Sequence, residues 1–189
     1  IRHYESSQQL RESLKKNGQL SRRLTEDDQN IRQELAFCRV ANRAIEDLPF
    51  VLAQPPGIAA LLLQIRVLAE LDQNNHAAAV ESAEKLAELK VPDDQPDARA
   101  LNLYNVACFL SRASGAAAKD EDLVETDQAT LVDKYATRAV TLLKEDRSLG
   151  YFKDPAKVAQ IKKDTRLDPL RDRDDFKQLV KELEEDQEK

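Results

Sequence analysis

Apolar residues in this chain recur at steps of three and four along most of its length. Ile31, Leu35, Cys38, Ala41, Ile45 and Leu48 make one such stripe. Leu103, Val106, Ala107 and Leu110 make a second, Leu131, Tyr135, Ala139 and Leu142 a third, and Phe176, Leu179, Val180 and Leu183 a fourth. That spacing places side chains on one face of an α-helix. No segment sustains the alternation of a strand, and four glycines in 189 residues leave too few turn residues for a sandwich or barrel. The chain is therefore expected to be all-α, with about two-thirds of its residues in helix.

Punctuation divides the pattern. Residues 2–17 form a thinly apolar helix with Leu10 and Leu14, stopped at Asn17-Gly18. Thr25-Glu26-Asp27-Asp28 looks like a capping box opening a longer helix that Pro49 stops near Asp47. After Pro55-Pro56-Gly57, residues 58–71 are apolar on nearly all sides, which predicts a helix buried between neighbours. Asp72 to Asn75 form a turn, and a second helix follows with Ala79, Ala83, Leu86 and Ala87 inward. A second pair begins near residue 97, about 40 residues after the first, which is the period of a helical repeat array. Residues 115–127 read as an exposed loop, small and then acidic, and Gly150 ends the helix after it. Asp154-Pro155 opens a short helix, Leu167 to Leu170 a tight turn, and Asp172 to Asp175 cap a last helix. Residues 1–24 are assigned to an N-terminal helix or a linker from an upstream domain, 25–183 to one helical domain, and 184–189 to a frayed tail.

Charge and cysteine content narrow the function. The net charge is −6, with four basic against eight acidic residues over 51–100, so the chain is a poor binder of nucleic acid. No apolar run approaches a membrane span. Cys38 and Cys108 both fall in apolar helical patterns, predicting two buried core thiols in a reducing, cytoplasmic setting rather than a disulfide or metal site. The chain has no Met and reads as part of something longer.

Tyr104-Asn105-Val106-Ala107-Cys108 resembles the first helix of a tetratricopeptide unit, and Tyr151 onward, through Leu167-Asp168-Pro169-Leu170-Arg171-Asp172 to Phe176, resembles the ending of such arrays. Together, over residues 40–183, they are similar to the region following the catalytic domain in bacterial serine/threonine protein kinases of the planctomycete type. The resemblance implies a stack of antiparallel helix pairs with a role in signalling, binding a protein or peptide partner or a second copy of itself. The kinase is not in this chain, which has no glycine-rich phosphate loop and no HRD or DFG motif. In tetratricopeptide arrays the first helix of each unit lines a groove. On that pattern Tyr104, Asn105, Cys108, Ser111 and Arg112 would face a peptide, with Asn105 and Arg112 holding its backbone or a carboxylate. The other reading of this face is contact with a neighbouring helix, which would make the chain a structural spacer or dimerisation element.

No catalytic constellation emerges. His3 and His76 are the only histidines, and His76 stands at a helix start, where a hydrogen-bonded turn residue is ordinary. Asp120-Glu121-Asp122, with Glu125 and Asp127, lacks the spacing of a calcium loop and reads as solvated. Lys157, Lys162, Lys163, Arg166, Arg171 and Arg173 make a basic patch interleaved with Asp164, Asp168 and Asp172, which predicts salt bridges. No cofactor, metal ion or enzymatic activity is expected.

Overall fold

The structure, a computed structural model, describes residues 9, 12, 13, 22–91 and 96–188. Every regular element among them is helical, as the spacing of apolar residues requires. The helix read over residues 2–17 lies outside the described residues except at positions 9, 12 and 13, which are helical. The chain divides into two compact units, 1–50 and 51–189.

In the first unit, α1 (Arg22–Glu46) stops before Pro49 as expected. Thr25 to Asp28 do not cap it. They lie inside it, because Arg22-Arg23-Leu24 are good helix formers and carry the helix further upstream. Leu35 and Ala44 are buried, but Cys38 is exposed, contrary to expectation, beside Phe37 and Val40. Leu35 and Ala44 are nine residues apart, on opposite sides of the helix, so no single stripe is buried. Asp47 then accepts the Phe50 amide at 2.9 Å and Arg43 Nη2 at 3.1 Å. It thereby caps the short α2 (Leu48–Leu52).

The second unit begins with α3 (Pro56–Asp72) and α4 (His76–Glu88), followed by α5 (Pro96–Ala117) and α6 (Glu125–Leu149). Forty residues separate the starts of α3 and α5, matching the sequence period. Asn74 takes a left-handed φ of 58° in the turn before α4, a conformation that asparagine tolerates where a glycine is usual. Consecutive helices pack on one another, and α3 also touches α5. Arg99 pairs with Glu145 at 2.8 Å, and the Ser114 hydroxyl donates to the Val132 carbonyl at 2.9 Å, so α5 and α6 run antiparallel.

Two expectations fail here. Helix α3 is not buried all round. It turns Ala59, Leu62, Leu63 and Val67 inward, while Ile58, Leu61 and Leu68 are 41–48% exposed. The helix enclosed by neighbours is α5, where Tyr104, Val106, Ala107, Cys108, Phe109 and Leu110 are all buried. The expected loop is also shorter. Alanines 116 and 117 continue α5, because alanine favours helix more than any other residue, and Ala117 is wholly buried. Glu125 and Asp127 lie in the first turn of α6, where acids meet the positive end of the helix dipole.

The tail folds back over this body. Gly150, at φ 88°, closes α6 by donating its amide to Arg147 and Asp146 carbonyls. A 3-10 turn, η1 (Tyr151–Lys153), leads to α7 (Pro155–Lys163), a second 3-10 segment, η2 (Thr165–Leu170), and α8 (Asp174–Gln187). Asp154 caps α7 as expected. Residues 184–187, expected to fray, are helical and tied down. Glu184 pairs with Lys162 at 2.5 Å, and Gln187 Nε2 donates to the Phe152 carbonyl at 2.9 Å.

Candidate functional site

The face of α5 expected to meet a peptide is covered by the chain's own η2 segment. Tyr104, Cys108 and Ser111 are 1%, 0% and 0% exposed. The Tyr104 hydroxyl donates to Asp164 Oδ2 at 3.0 Å, and Cys108 Sγ lies 3.8 Å from the same oxygen. Asn105 Oδ1 accepts from Arg166 Nη1 at 3.5 Å. Arg112 is half-buried and stands 3.7 Å from Asp72 on α3. The Ser111 hydroxyl is buried without a hydrogen-bond partner. Further along α5, a Cβ at Gly115 would come within 3.0 Å of Pro169 Cγ, so the missing side chain is what allows η2 to seat this closely. The two stretches that carried the resemblance are therefore packed on each other.

Asp164 organises this contact. It caps η2 through the Arg166 amide at 3.0 Å and takes the Arg166 guanidinium at 2.6 Å. Burial by itself would raise its carboxyl, but the hydrogen bonds from Arg166 and Tyr104 outweigh burial and hold it down at about 2. Burial pushes the Cys108 thiol up to about 12 and raises the Tyr104 hydroxyl as well. Near neutral pH the carboxylate is thus ionised, beside a thiol and a phenol whose protons burial holds in place. It is chemistry suited to holding a segment in place.

A second polar cluster joins parts far apart in sequence. His76, the first residue of α4, is 5% exposed. Its Nε2 lies 3.0 Å from Asp120 Oδ2, and its Nδ1 lies 3.4 Å from the Tyr135 hydroxyl. The sequence placed His76 correctly at a hydrogen-bonded helix start but gave no sign of these partners. Asp120, read as part of a solvated loop, instead fastens that loop to α4. Gln128 adds a bond from its Nε2 to the Asp120 carbonyl at 3.1 Å. The basic patch resolves largely into the expected salt bridges: Arg166 with Asp164, Arg171 with Asp168, and Arg173 with Asp133 and Asp175.

Sequence reasoning missed Asp146. It is 0% exposed, and neither carboxylate oxygen has a hydrogen-bond partner. Burial, with a smaller contribution from Glu145, raises its carboxyl to about 8. The signal was available, since Tyr135, Ala139, Leu142 and Asp146 continue one helical stripe at steps of 4, 3 and 4.

Among the described residues no group of three or more His, Cys, Asp or Glu side chains is placed to hold a metal ion. No described helix is long and apolar enough to cross a membrane. No protein-family model, curated protein or solved structure matches this chain significantly.

Proposed function

We propose that this chain is a non-catalytic helical module of tetratricopeptide type, belonging to the region that accompanies the catalytic domain in a bacterial serine/threonine protein kinase. It works as a spacer and outer-surface docking body, without a peptide in the α5 groove. The observation that carries this reading is the seating of η2 on α5, with Asp164 joined to Tyr104 at 3.0 Å. A peptide could reach that face only by displacing Leu167 and Leu170, both 0% exposed. The forty-residue spacing of α3 and α5 supports a superhelical stack of helix pairs.

The test uses the double change Asn105→Ala and Arg112→Ala in the full-length natural protein. A spacer predicts that the partners recovered by affinity capture, and the kinase activity measured alongside, stay as in the wild type. Selective loss of one partner, with the circular dichroism signal of helix intact, would restore the open groove and overturn this reading.

A further inference from the structure

We infer that the outer face of α3 binds the same face of a second copy of this chain, with the two helices antiparallel. One side of α3 packs on α4 and α5. The other carries Ile58, Leu61, Ile65 and Leu68 at steps of three, four and three. Ile58 and Leu61 are 48% exposed, Leu68 is 41% exposed and Ile65 half-buried. That spacing is the spacing of a seam between two helices. No charged side chain interrupts it. Besides Asp72, the charged residues of α3 are Arg66 and Glu70, and both are turned to the α4 side. There Arg66 Nε donates to Ser82 Oγ at 3.0 Å, and Glu70 Oε2 accepts from Asn75 Nδ2 at 2.8 Å. Single exposed leucines are ordinary, but an uncharged stripe along a 17-residue helix marks a contact surface.

The two ends of α3 identify the occupant. Pro55 precedes the helix and supplies no side-chain cap, so the first amides, those of Gly57 and Ile58, have no helical partner. A Cβ at Gly57 would meet nothing within 4 Å, which leaves this end open to approach. At the other end Asp72 follows Leu68 by four residues, on the same face, with its side chain 77% exposed. Its contact with Arg112, at 3.7 Å, is too long for a hydrogen bond. The stripe is therefore electropositive at its start and negative at its end, which makes it complementary to its own reverse. Ile65 is the centre, with Ile58 seven residues before it and Asp72 seven after. In an antiparallel pair with its two-fold axis at Ile65, each Asp72 meets the Gly57 and Ile58 amides of the other copy. A carboxylate there caps the helix and is favoured by its dipole. Leu61 and Leu68, four before the centre and three after, interleave with their counterparts. A parallel pair would set the two Asp72 carboxylates side by side and leave both helix starts uncapped. Four side chains along one helix bury less than the roughly 1,200 Å² of a stable interface, so the dimer is weak and reversible.

Self-association goes beyond the spacer reading and does not involve the α5 face. Sedimentation equilibrium of residues 1–189 from about 5 to about 500 μM should show monomer passing reversibly into dimer. Leu61→Glu with Leu68→Glu should abolish the dimer, and Asp72→Lys should weaken it about tenfold. Leu101→Glu with Leu149→Glu, on exposed leucines of α5 and α6, should leave it unchanged. Circular dichroism establishes that each variant is folded. The register is read by cross-linking in a Cys38→Ser background, because Cys38 is an exposed thiol and Cys108 is buried. With oxidised glutathione as oxidant, Ile65→Cys, at the two-fold axis, should give a disulfide-linked dimer. Ile58→Cys, about 21 Å along the axis from its counterpart, should not. A protein that stays monomeric would overturn the inference and leave this face to a different partner or to the chain itself. So would a dimer that survives the Leu61 and Leu68 changes, or one indifferent to Asp72→Lys. Equal cross-linking at positions 58 and 65 would mark a parallel pair and overturn it as well. None of these outcomes alters the expected result for Asn105 and Arg112.

Discussion

Replacing Asp146 should make the protein more stable, and more so as pH rises. In the folded state its carboxyl is raised to about 8 by burial, from an ordinary value of 3.8. The unfolded chain therefore releases this proton well below neutral pH, while the folded chain keeps it. Between the two values the unfolded state binds fewer protons, so stability falls as pH increases, by about 1.4 kcal/mol per unit. Below about pH 4 the penalty is absent, and above about pH 8 it is complete. Integrating gives roughly 2 kcal/mol at pH 5 and roughly 4 at pH 7. Asp146→Asn keeps the shape of the side chain and cannot ionise, so it removes the pH-dependent part while Glu145 and Tyr151 remain in both proteins. Urea titrations followed by circular dichroism at pH 5, 6, 7 and 8 give the difference directly. The wild type should lose about 2–3 kcal/mol relative to the Asn variant from pH 5 to 7. Asp146→Leu should exceed the wild type at neutral pH, since it also removes two unpartnered oxygens. Parallel pH profiles for wild type and Asn variant would refute the reasoning, because they would mean that Asp146 ionises as it does in water.

The Asp164 contact should show as a coupling. Asp164→Ala is expected to cost about 2–4 kcal/mol and Tyr104→Phe about 1, and the double change should cost about 1 kcal/mol less than their sum. Strict additivity in denaturation would contradict the hydrogen bond. Because the Asp164 carboxyl is held at about 2, its contribution should persist at neutral pH and fade only below about pH 4, which acid titration of the wild type against Asp164→Ala would show. Ala117→Leu should destabilise by about 1–3 kcal/mol through overpacking, whereas Ala118→Leu, on the exposed side, should stay within about 0.5; equal midpoints would place the end of α5 wrongly. His76→Ala should free Asp120, so limited proteolysis should cut within 118–124 faster than in wild type, and unchanged cutting would show that the contact does not hold the loop.

Helix type and the inward stripes were legible because both depend on local spacing. The residues read as the inner faces of α5 and α8, Leu103 and Leu110 or Phe176 and Leu179, are buried as read. The ends of helices were less legible. Small residues in series after Gly115 look like a linker, yet the same alanines are strong helix formers that let another backbone come close. Pro169 packs over Gly115 for that reason, and nothing near position 115 in the sequence points fifty residues ahead.

The α5 face shows most clearly what a one-dimensional pattern leaves open. The tetratricopeptide pattern separates Tyr104, Cys108 and Ser111, as groove residues, from the stripe of Leu103, Val106, Ala107 and Leu110. But between residues 103 and 111 the helix carries no charged side chain at all. A helix with no polar side has nothing to turn toward water, so both faces must be covered. Residue composition thus requires a second layer over α5 without saying what supplies it. The candidates were a peptide from outside or a segment of the same chain. What decides between them is Asp164, a carboxylate sixty residues away that only the fold brings to Tyr104. Once that ion is placed, with Arg166 across from it, the polar atoms Tyr104 and Cys108 turn outward from the core are paired, and the face has little left with which to recognise a partner.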